Sequence, residues 1–292
     1  MNSEGTQRSA GVDEKVSATI EGTLSLVLPA HNEEENITLV VERALEILPR
    51  YCEEFEIIIV NDGSKDQTPR IIDELAAKDS RVRPQHHPVN KGYGAALTTG
   101  FKASTGASVM FMDADRQFDI ADIGLLAPFV KNFDIVAGFR MRRNDPFHRR
   151  VFAETFNVVV RILFGVHLRD IDCAFKIFRG DMLRSTGLTA PGALINTEIQ
   201  AKLRRQGATI EQIGVNHYPR VAGSATGGNP RVILRAMRET VFLWWRMRSY
   251  VPPATAPNPQ RPYRLGDVIV GTVALIGIPT AIATARKIFG RE

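Results

Sequence analysis

Through the first half of the chain, short apolar runs alternate with segments whose apolar residues recur every three or four positions. Leu24–Leu28 (LSLVL) reads as a strand that Pro29 closes. Asn36–Leu48 then places Ile37, Val40, Val41, Ala44, Leu45 and Leu48 on one helical face. Glu56–Val60 (EIIIV) has the continuous apolar character of a strand buried on both sides. Asp66–Lys78 sets Ile71, Ile72 and Leu75 inward on a second helix. Arg81–His87 reads as an edge strand, Ala95–Ala103 as a helix, Val109–Met112 as a third strong strand and Asp134–Gly138 as a fourth. This alternation predicts βαβ units, hence an α/β fold with a mostly parallel sheet. Right-handed crossovers put the loops that follow the strands along one edge, where open α/β sheets bind ligands.

That edge carries polar chemistry. Asp113, Asp115 and Gln117 follow the Val109–Met112 strand at every second position. If the extended conformation continues, the three side chains converge on one point. Two carboxylates and an amide oxygen are hard ligands that suit Mg²⁺ or Mn²⁺, with water and substrate phosphates completing the shell. On spacing alone, a solvated acidic turn is the competing reading. Asn32 and Glu33 follow the first strand, and Asp62 and Asp66 flank a glycine turn after the second, all able to accept hydrogen bonds from a base or ribose. Lys91, Gly92 and Gly94 stand just ahead of a helix, where backbone N–H groups and an ammonium suit a phosphate. There is no Gly-x-Gly-x-x-Gly after the first strand and no Walker sequence, which weakens dinucleotide and ATP readings.

Composition sharpens this. The chain has 292 residues, 44% of them hydrophobic, enough for a sizeable core, and a net charge of +5 that argues for an anionic partner. Two cysteines make neither a disulfide framework nor a metal-ligand spacing. The basic excess is concentrated. FRMRRNDPFHRR gathers Arg140, Arg142, Arg143, Arg149 and Arg150 ahead of a run that is apolar at Phe152, Phe156, Val159, Val160, Leu163 and Phe164. RVILRAMRETVFLWWRMR sets Arg231, Arg235 and Arg238 against Val232, Ile233, Met237, Val241 and Trp244. Such helices lie in membrane interfaces, and Trp244 and Trp245 suit the headgroup level. Packing faces with solvated arginines are the alternative. No recognition fold or stacking platform accompanies the arginines, so nucleic acid is not expected.

The termini complete the plan. Residues 1–22 are polar without an apolar h-region, a disordered lead-in rather than a signal peptide. Val268–Ala285 holds no charge, and a membrane helix needs about 20 apolar residues. The proline-rich Val251–Tyr263 separates it from everything before. The expected organisation is therefore a catalytic domain over 23–230, an amphipathic interfacial helix over 231–250, a Pro-rich linker over 251–264 and a transmembrane anchor over 265–287.

LPAHNEEENI, VNDGSKDQT, NKGYGAAL and DADRQF, in that order and spacing, resemble glycosyltransferase family two, whose members have the Rossmann-like GT-A fold. RDIDCAFKIFRGDML, the stretch Asn196–Thr226 and the hydrophobic tail resemble its polyprenyl-phosphate branch, of which dolichyl-phosphate mannosyltransferase is one. The resemblance covers roughly Leu24 to Trp245. It implies that Pro29, Ala30, His31, Glu33 and Asp62 border the nucleobase, and that Asp113, Asp115 and Gln117 hold a divalent ion on the donor diphosphate. Asp170 falls on the acid of the family's Asp-x-x-x-Gly-Phe-Lys stretch, near the donor sugar and acceptor, and Arg220 on the arginine that closes over the phosphates. Ala174 and Arg116 depart from the family pattern, where glycine is common at the first and leucine or glycine at the second.

The reaction so implied moves a sugar from a nucleotide donor to polyprenyl phosphate, inverting the anomeric centre, at the cytoplasmic face of the cell membrane. Charge growing on the leaving diphosphate is met by the metal ion, Arg220 and Lys91. Transfer onto a sugar hydroxyl, in polysaccharide or glycolipid assembly, is the second enzyme reading. A catalytically idle nucleotide-sugar-binding subunit is a third, opposed by the intact acids and Arg220. Donor sugar and base, lipid length, and assembly with copies of itself or a partner membrane protein stay open.

Overall fold

A computed structural model describes residues 20–141, 147–219 and 230–261, with only the backbone described for 147–154 and 230–238. Seven strands form one sheet: β1 (Ile20–Ala30), β2 (Cys52–Asp62), β3 (Val82–His87), β4 (Ser108–Met112), β5 (Ile135–Arg140), β6 (Phe175–Arg179) and β7 (Ile210–Val215). Their order is β3-β2-β1-β4-β6-β5-β7. All pair in parallel except β6, which runs antiparallel to both β4 and β5. The expected α/β fold with a mostly parallel sheet is present. β3 is an edge strand as its sequence indicated, whereas β6 and β7 were not picked out by pattern.

Helices α1 (Ile37–Ile47), α2 (Thr68–Lys78), α3 (Tyr93–Ala103), α4 (Ile123–Val130), α5 (Phe147–Phe164), α6 (Gly180–Arg184), α7 (Ile195–Gln206) and α8 (Pro230–Met247) cover the sheet. α1 buries Ile37, Val40, Val41, Ala44 and Ile47, the stripe its periodicity required. Every residue of β4 is buried, as is Ile57–Val60 of β2, so the core lies on both faces of the sheet.

Three expectations need correction. Pro29 does not end β1; it sits within the strand, opposite Val60 of β2. β4 pairs with β1 only from Leu24 to Val27, so beyond that point a missing N–H on that flank breaks no ladder bond. Ile20, Glu21 and Gly22, assigned to the lead-in, belong to β1, and the rest of that segment lies outside the described residues. The proline-rich stretch is not a detached spacer, for its described part is tied along the C-terminal end of α7. Arg205 donates from Nε to Gln260 O (2.8 Å), from Nη1 to Met247 O (3.2 Å) and from Nη2 to Tyr250 O (3.0 Å). Asn258 N and Gln260 N donate back to the carbonyls of Gln206 and Arg205. Prolines leave carbonyls without matching N–H groups, and one guanidinium can serve several of them.

No helix among the described residues is long and apolar enough to cross a membrane, and the expected anchor, 265–287, lies outside them. α8 fills most of the interfacial segment and turns Thr240, Leu243 and Met247 inward. Adjacent tryptophans part company there. Trp244 is half-buried and packs against the core beside Leu163 and Phe164 of α5, whereas Trp245 is 64% exposed. Helical geometry turns consecutive side chains about 100° apart. On α5, Val160 and Phe164 are buried and Phe156 and Leu163 pack against the core, so that apolar run is mainly a packing face.

Candidate active site

The site gathers where β1, β2 and β4 end. Asp62, last in β2 and 3% exposed, is placed by register opposite His87 of β3. Its Oδ1 accepts from His87 Nδ1 (2.7 Å) and Lys91 N (2.9 Å), and its Oδ2 accepts from Gly92 N (2.8 Å). In the neighbouring loop His31 Nδ1 donates to Asp62 O (2.8 Å), so the His31 ring stands over the end of β2. Glu33, nearly buried, accepts from Asn36 Nδ2 (2.7 Å), and its own N–H goes to Thr68 Oγ1. Asp66 binds Thr68 N (3.0 Å) and Glu34 N (3.3 Å), and these bonds hold its carboxyl below the ordinary range although burial opposes them. Asp66 thus starts α2 and joins the two loops, leaving Pro29, Ala30, His31, Glu33 and Asp62 as the group at this rim.

The glycine turn before α3 does not form the amide cradle that its sequence suggested. The amides of Lys91 and Gly92 go to Asp62, while those of Gly94 and Ala95 both donate to Pro191 O (2.8 and 3.2 Å). Those donors are spent inside the protein. The glycines serve close backbone approach: Gly92 has φ +99°, and a Cβ on Gly94 would lie 2.2 Å from Ala190 O. Lys91 keeps an exposed side chain at this edge. Gly94→Ala is expected to push the 189–192 loop off α3 and cost about 2 kcal/mol, as overpacking does, read as a lowered midpoint in thermal unfolding. An unchanged midpoint would show that the loop yields without cost.

Past β4 the extended conformation stops. Arg116 takes φ +62°, a left-handed conformation that glycine adopts without penalty, and Gln117 N bonds back to Asp115 Oδ1 (3.1 Å). Asp113, Asp115 and Gln117 are therefore placed by a turn rather than by strand alternation. Asp115 is 7% exposed. Gln117 Nε2 donates to Tyr218 O (3.3 Å) and Tyr218 N to Gln117 O (2.9 Å), which brings the end of the β7 segment against this turn. Arg220, two positions on, lies outside the described residues, as do Arg142 and Arg143; the side chains of Arg149 and Arg150 are likewise outside.

Tyr93 was not singled out by the sequence reading. Its hydroxyl donates to Asp113 Oδ1 (2.9 Å). Burial, then the charge and hydrogen bond of Asp113, then the charges of Asp172 and Asp115, push the phenol well above its ordinary pKa. Three carboxylates therefore act on one hydroxyl, which marks where negative charge concentrates. That donor chemistry fits a divalent ion held by Asp113 and Asp115. Among the described residues no group of three or more His, Cys, Asp or Glu forms a metal cage. Mg²⁺ bound by one or two carboxylates, with phosphates and water completing its shell, needs none.

Asp170, 6% exposed, sits in a bidentate pair with Arg140 at the end of β5: Nε to Oδ2 at 2.6 Å and Nη2 to Oδ1 at 2.8 Å. This pairing raises the Arg140 guanidinium further, against its burial, with Asp172 and Cys173 adding to the effect. Arg140, grouped in sequence with the membrane-facing arginines, thus points inward. Beneath the loop Lys176, 1% exposed, donates to the carbonyls of Ile171 (3.2 Å) and Cys173, and burial holds its ammonium below the ordinary value. Cys52 and Cys173 are free, buried thiols whose pKa burial pushes up to about 12, so neither is a ready nucleophile.

The model of Glycosyl transferase family 2 matches residues 25–199. Glycosyltransferase AglD of Haloferax volcanii is 29% identical over 242 residues, 79% of this chain and 38% of that protein. Polyprenol monophosphomannose synthase of Mycolicibacterium smegmatis is 30% identical over 240 residues, 77% of this chain and 89% of that one. The chain spans about half the length of several other curated relatives it matches, 54% and 48% in two of them. Among solved structures, glucosyl-3-phosphoglycerate synthase from Mycobacterium tuberculosis, in complex with Mn²⁺, UDP and glucosyl-3-phosphoglycerate, superposes with a TM-score of 0.57 at 22% identity, covering 86% of this chain and 88% of that one. The superposition supports the GT-A-like fold seen in the sheet order. With the family model covering more than half of its length, the chain belongs to glycosyl transferase family 2.

Proposed function

We propose that the chain transfers a sugar, with inversion, from a nucleoside-diphosphate donor to a polyprenyl phosphate at the cytoplasmic face of the cell membrane. The observation that carries this reading is the Asp113 carboxylate held by the Tyr93 hydroxyl at the end of β4, with the charge of buried Asp115 also acting on that hydroxyl. A Mg²⁺ or Mn²⁺ ion would be held there by both carboxylates with Gln117 beside them, and would supply Lewis-acid stabilisation of the departing diphosphate. Mn²⁺ and Mg²⁺ each accompany UDP in structures of the fold neighbour. His31, Glu33 and the end of β1 border the base, Asp62 sets the turn carrying Lys91, and Arg220 with Lys91 meets the phosphates.

The acceptor follows from two lines. Relatives are named for dolichyl-phosphate, undecaprenyl-phosphate and polyprenol-phosphate chemistry. In addition, Asp170 is locked to Arg140 and so is a poor candidate to take a proton from a sugar hydroxyl. A lipid phosphate is anionic near neutral pH, its second pKa being about 6, and attacks without a strong base. Asp170 then orients sugar or acceptor through its place beside Asp172. The membrane side is supported by α8, whose outward face carries exposed Val241, Phe242 and Trp245 next to Arg248, an aromatic and basic face of the kind that lies in bilayer interfaces. Residues 265–287 would anchor the chain by a single pass.

The test uses the full purified chain with liposomes that do or do not contain polyprenyl phosphate, a panel of labelled nucleotide sugars, and Mn²⁺ or Mg²⁺. A metal-dependent, organic-extractable product is expected from one donor. No lipid product with any donor would reject the acceptor assignment, and label recovered on an added sugar would move the acceptor to a hydroxyl.

A further inference from the structure

The geometry points to Tyr93 as a positioning residue that fixes the Asp113 carboxylate for the divalent ion. This rests on the reading of Asp113 as a ligand of that ion. Asp113 is the first residue beyond β4, where the ladder ends, so the sheet does not set its side chain. The tyrosine hydroxyl sets it instead, through a 2.9 Å hydrogen bond to Oδ1.

Tyr93 can do this because its own backbone is pinned from two directions. It is the first residue of α3. On one side Gly92 N is held by Asp62 Oδ2 at the end of β2. On the other, Gly94 N and Ala95 N are held by Pro191 O in the loop before α7. That loop is anchored in turn, since Thr189 N and Ala190 N both donate to the fully buried Glu198. The phenol is thus a short rigid arm from two anchored loops to one carboxylate oxygen. Tyrosine has only two side-chain torsions to freeze, which makes it an inexpensive strut.

The hydroxyl is the donor of this bond, since an ionised carboxylate oxygen can only accept. Groups that orient metal ligands in this way typically alter metal affinity or activity by about 10–100-fold when removed.

The experiment measures Mn²⁺ binding directly, by the loss of the free-ion EPR signal, on the full chain with UDP or GDP present. Tyr93→Phe keeps the ring and deletes the hydroxyl. Its Mn²⁺ affinity is expected to fall about tenfold, with the thermal midpoint within about 2 °C of the parent's. In an Asp113→Asn background, the same Tyr93→Phe change is expected to cost less than about twofold, because the carboxylate it orients is gone. Tyr93→Phe binding Mn²⁺ as tightly as the parent overturns the proposal. So does an equal loss in both backgrounds, which would mark a general packing role. A parent chain that binds Mn²⁺ with neither nucleotide rejects the metal assignment itself, a result distinct from a parent that binds and a Tyr93→Phe variant that binds equally well.

Discussion

Asp115→Ala is expected to lower sugar transfer by about 10³-fold while leaving the fold in place, because deleting one group that stabilises transition-state charge typically costs 10²–10³-fold or more. Asp115 is buried at the turn after β4, next to Asp113, and its side chain helps define the negative site around Tyr93. In the fold itself its Oδ1 accepts Gln117 N, a bond of the kind worth about 1 kcal/mol net. The two effects therefore separate cleanly. Initial rates of label transfer report the first, and circular dichroism through thermal unfolding reports the second. Chelation of divalent ions from the parent should reproduce the same loss of rate. If Asp115→Ala kept more than a tenth of the parent rate, the charge on the leaving diphosphate would have to be met elsewhere, and the assignment of this turn would fail.

Glu198→Ala should have the largest effect on stability. Glu198 is completely buried in α7 and accepts from Thr189 N (3.0 Å), Thr189 Oγ1 (2.8 Å), Ala190 N (2.7 Å) and Lys202 Nζ (2.6 Å). Alanine removes the counter-ion of the buried Lys202 ammonium, which keeps only Gly187 O (2.7 Å) as acceptor, and leaves two loop amides without theirs. Breaking a buried pair from one side costs about 3–5 kcal/mol, which in a domain of this size lowers the thermal midpoint by roughly 10 °C. The loop that would loosen is the one that receives Gly94 and Ala95, so the start of α3 should lose hydrogen-exchange protection too. A midpoint shift under about 3 °C would show that water replaces Glu198 adequately.

The same residue gives a pH dependence with a definite sign. Burial works against the Glu198 carboxylate, but Lys202 and the loop donors win and hold its pKa below the ordinary 4.5. A depressed carboxylate pKa contributes stability that is fully present above the unfolded value and is lost as pH falls through the folded one. The stability gap between the parent and Glu198→Gln should accordingly narrow below about pH 4.5. A gap that is flat through that window would remove ionisation of Glu198 from the account.

Much of this was legible in sequence because it is local. Each of the four strands read from apolar runs is present, and the acids at their ends follow from strand length alone. Asp170 and Lys176 stood in a recognisable stretch, yet the partner of Asp170 was hidden. Arg140 looked like one more arginine in a basic run, and only the antiparallel insertion of β6 beside β5 places it against Asp170. The signal for Tyr93 was its position between two glycines at a helix start, which clears the backbone around one large side chain. Nothing in the residues from 90 to 95 announces that Pro191 takes their free amides.

α7 makes the same point from the side of burial. Ile195–Gln206 is rich in charged and amide residues and has the composition of a surface helix, but nearly all of it is buried. Distant partners satisfy its charged groups, the 187–190 loop for Glu198 and Lys202, and the carbonyls of Met247, Tyr250 and Gln260 for Arg205, whereas Asn196 Oδ1, Thr197 Oγ1 and Gln200 Oε1 find no hydrogen-bond partner among the described residues.

The sequence by itself determined the alternation of strands and helices, the family, and the presence of carboxylates at the end of β4, since each depends on residues a few positions apart. Only the tertiary structure decided which of those groups are already engaged. It turned Trp244 inward and Trp245 outward, spent the glycine-turn amides on Asp62 and Pro191, locked Asp170 to Arg140 across 30 positions and joined Gln117 to Tyr218 across 101. The physical reason is that a backbone N–H has one proton to donate, so an amide engaged inside the protein is not offered to a ligand. Which partner claims it is settled by the packing of segments that no local pattern relates.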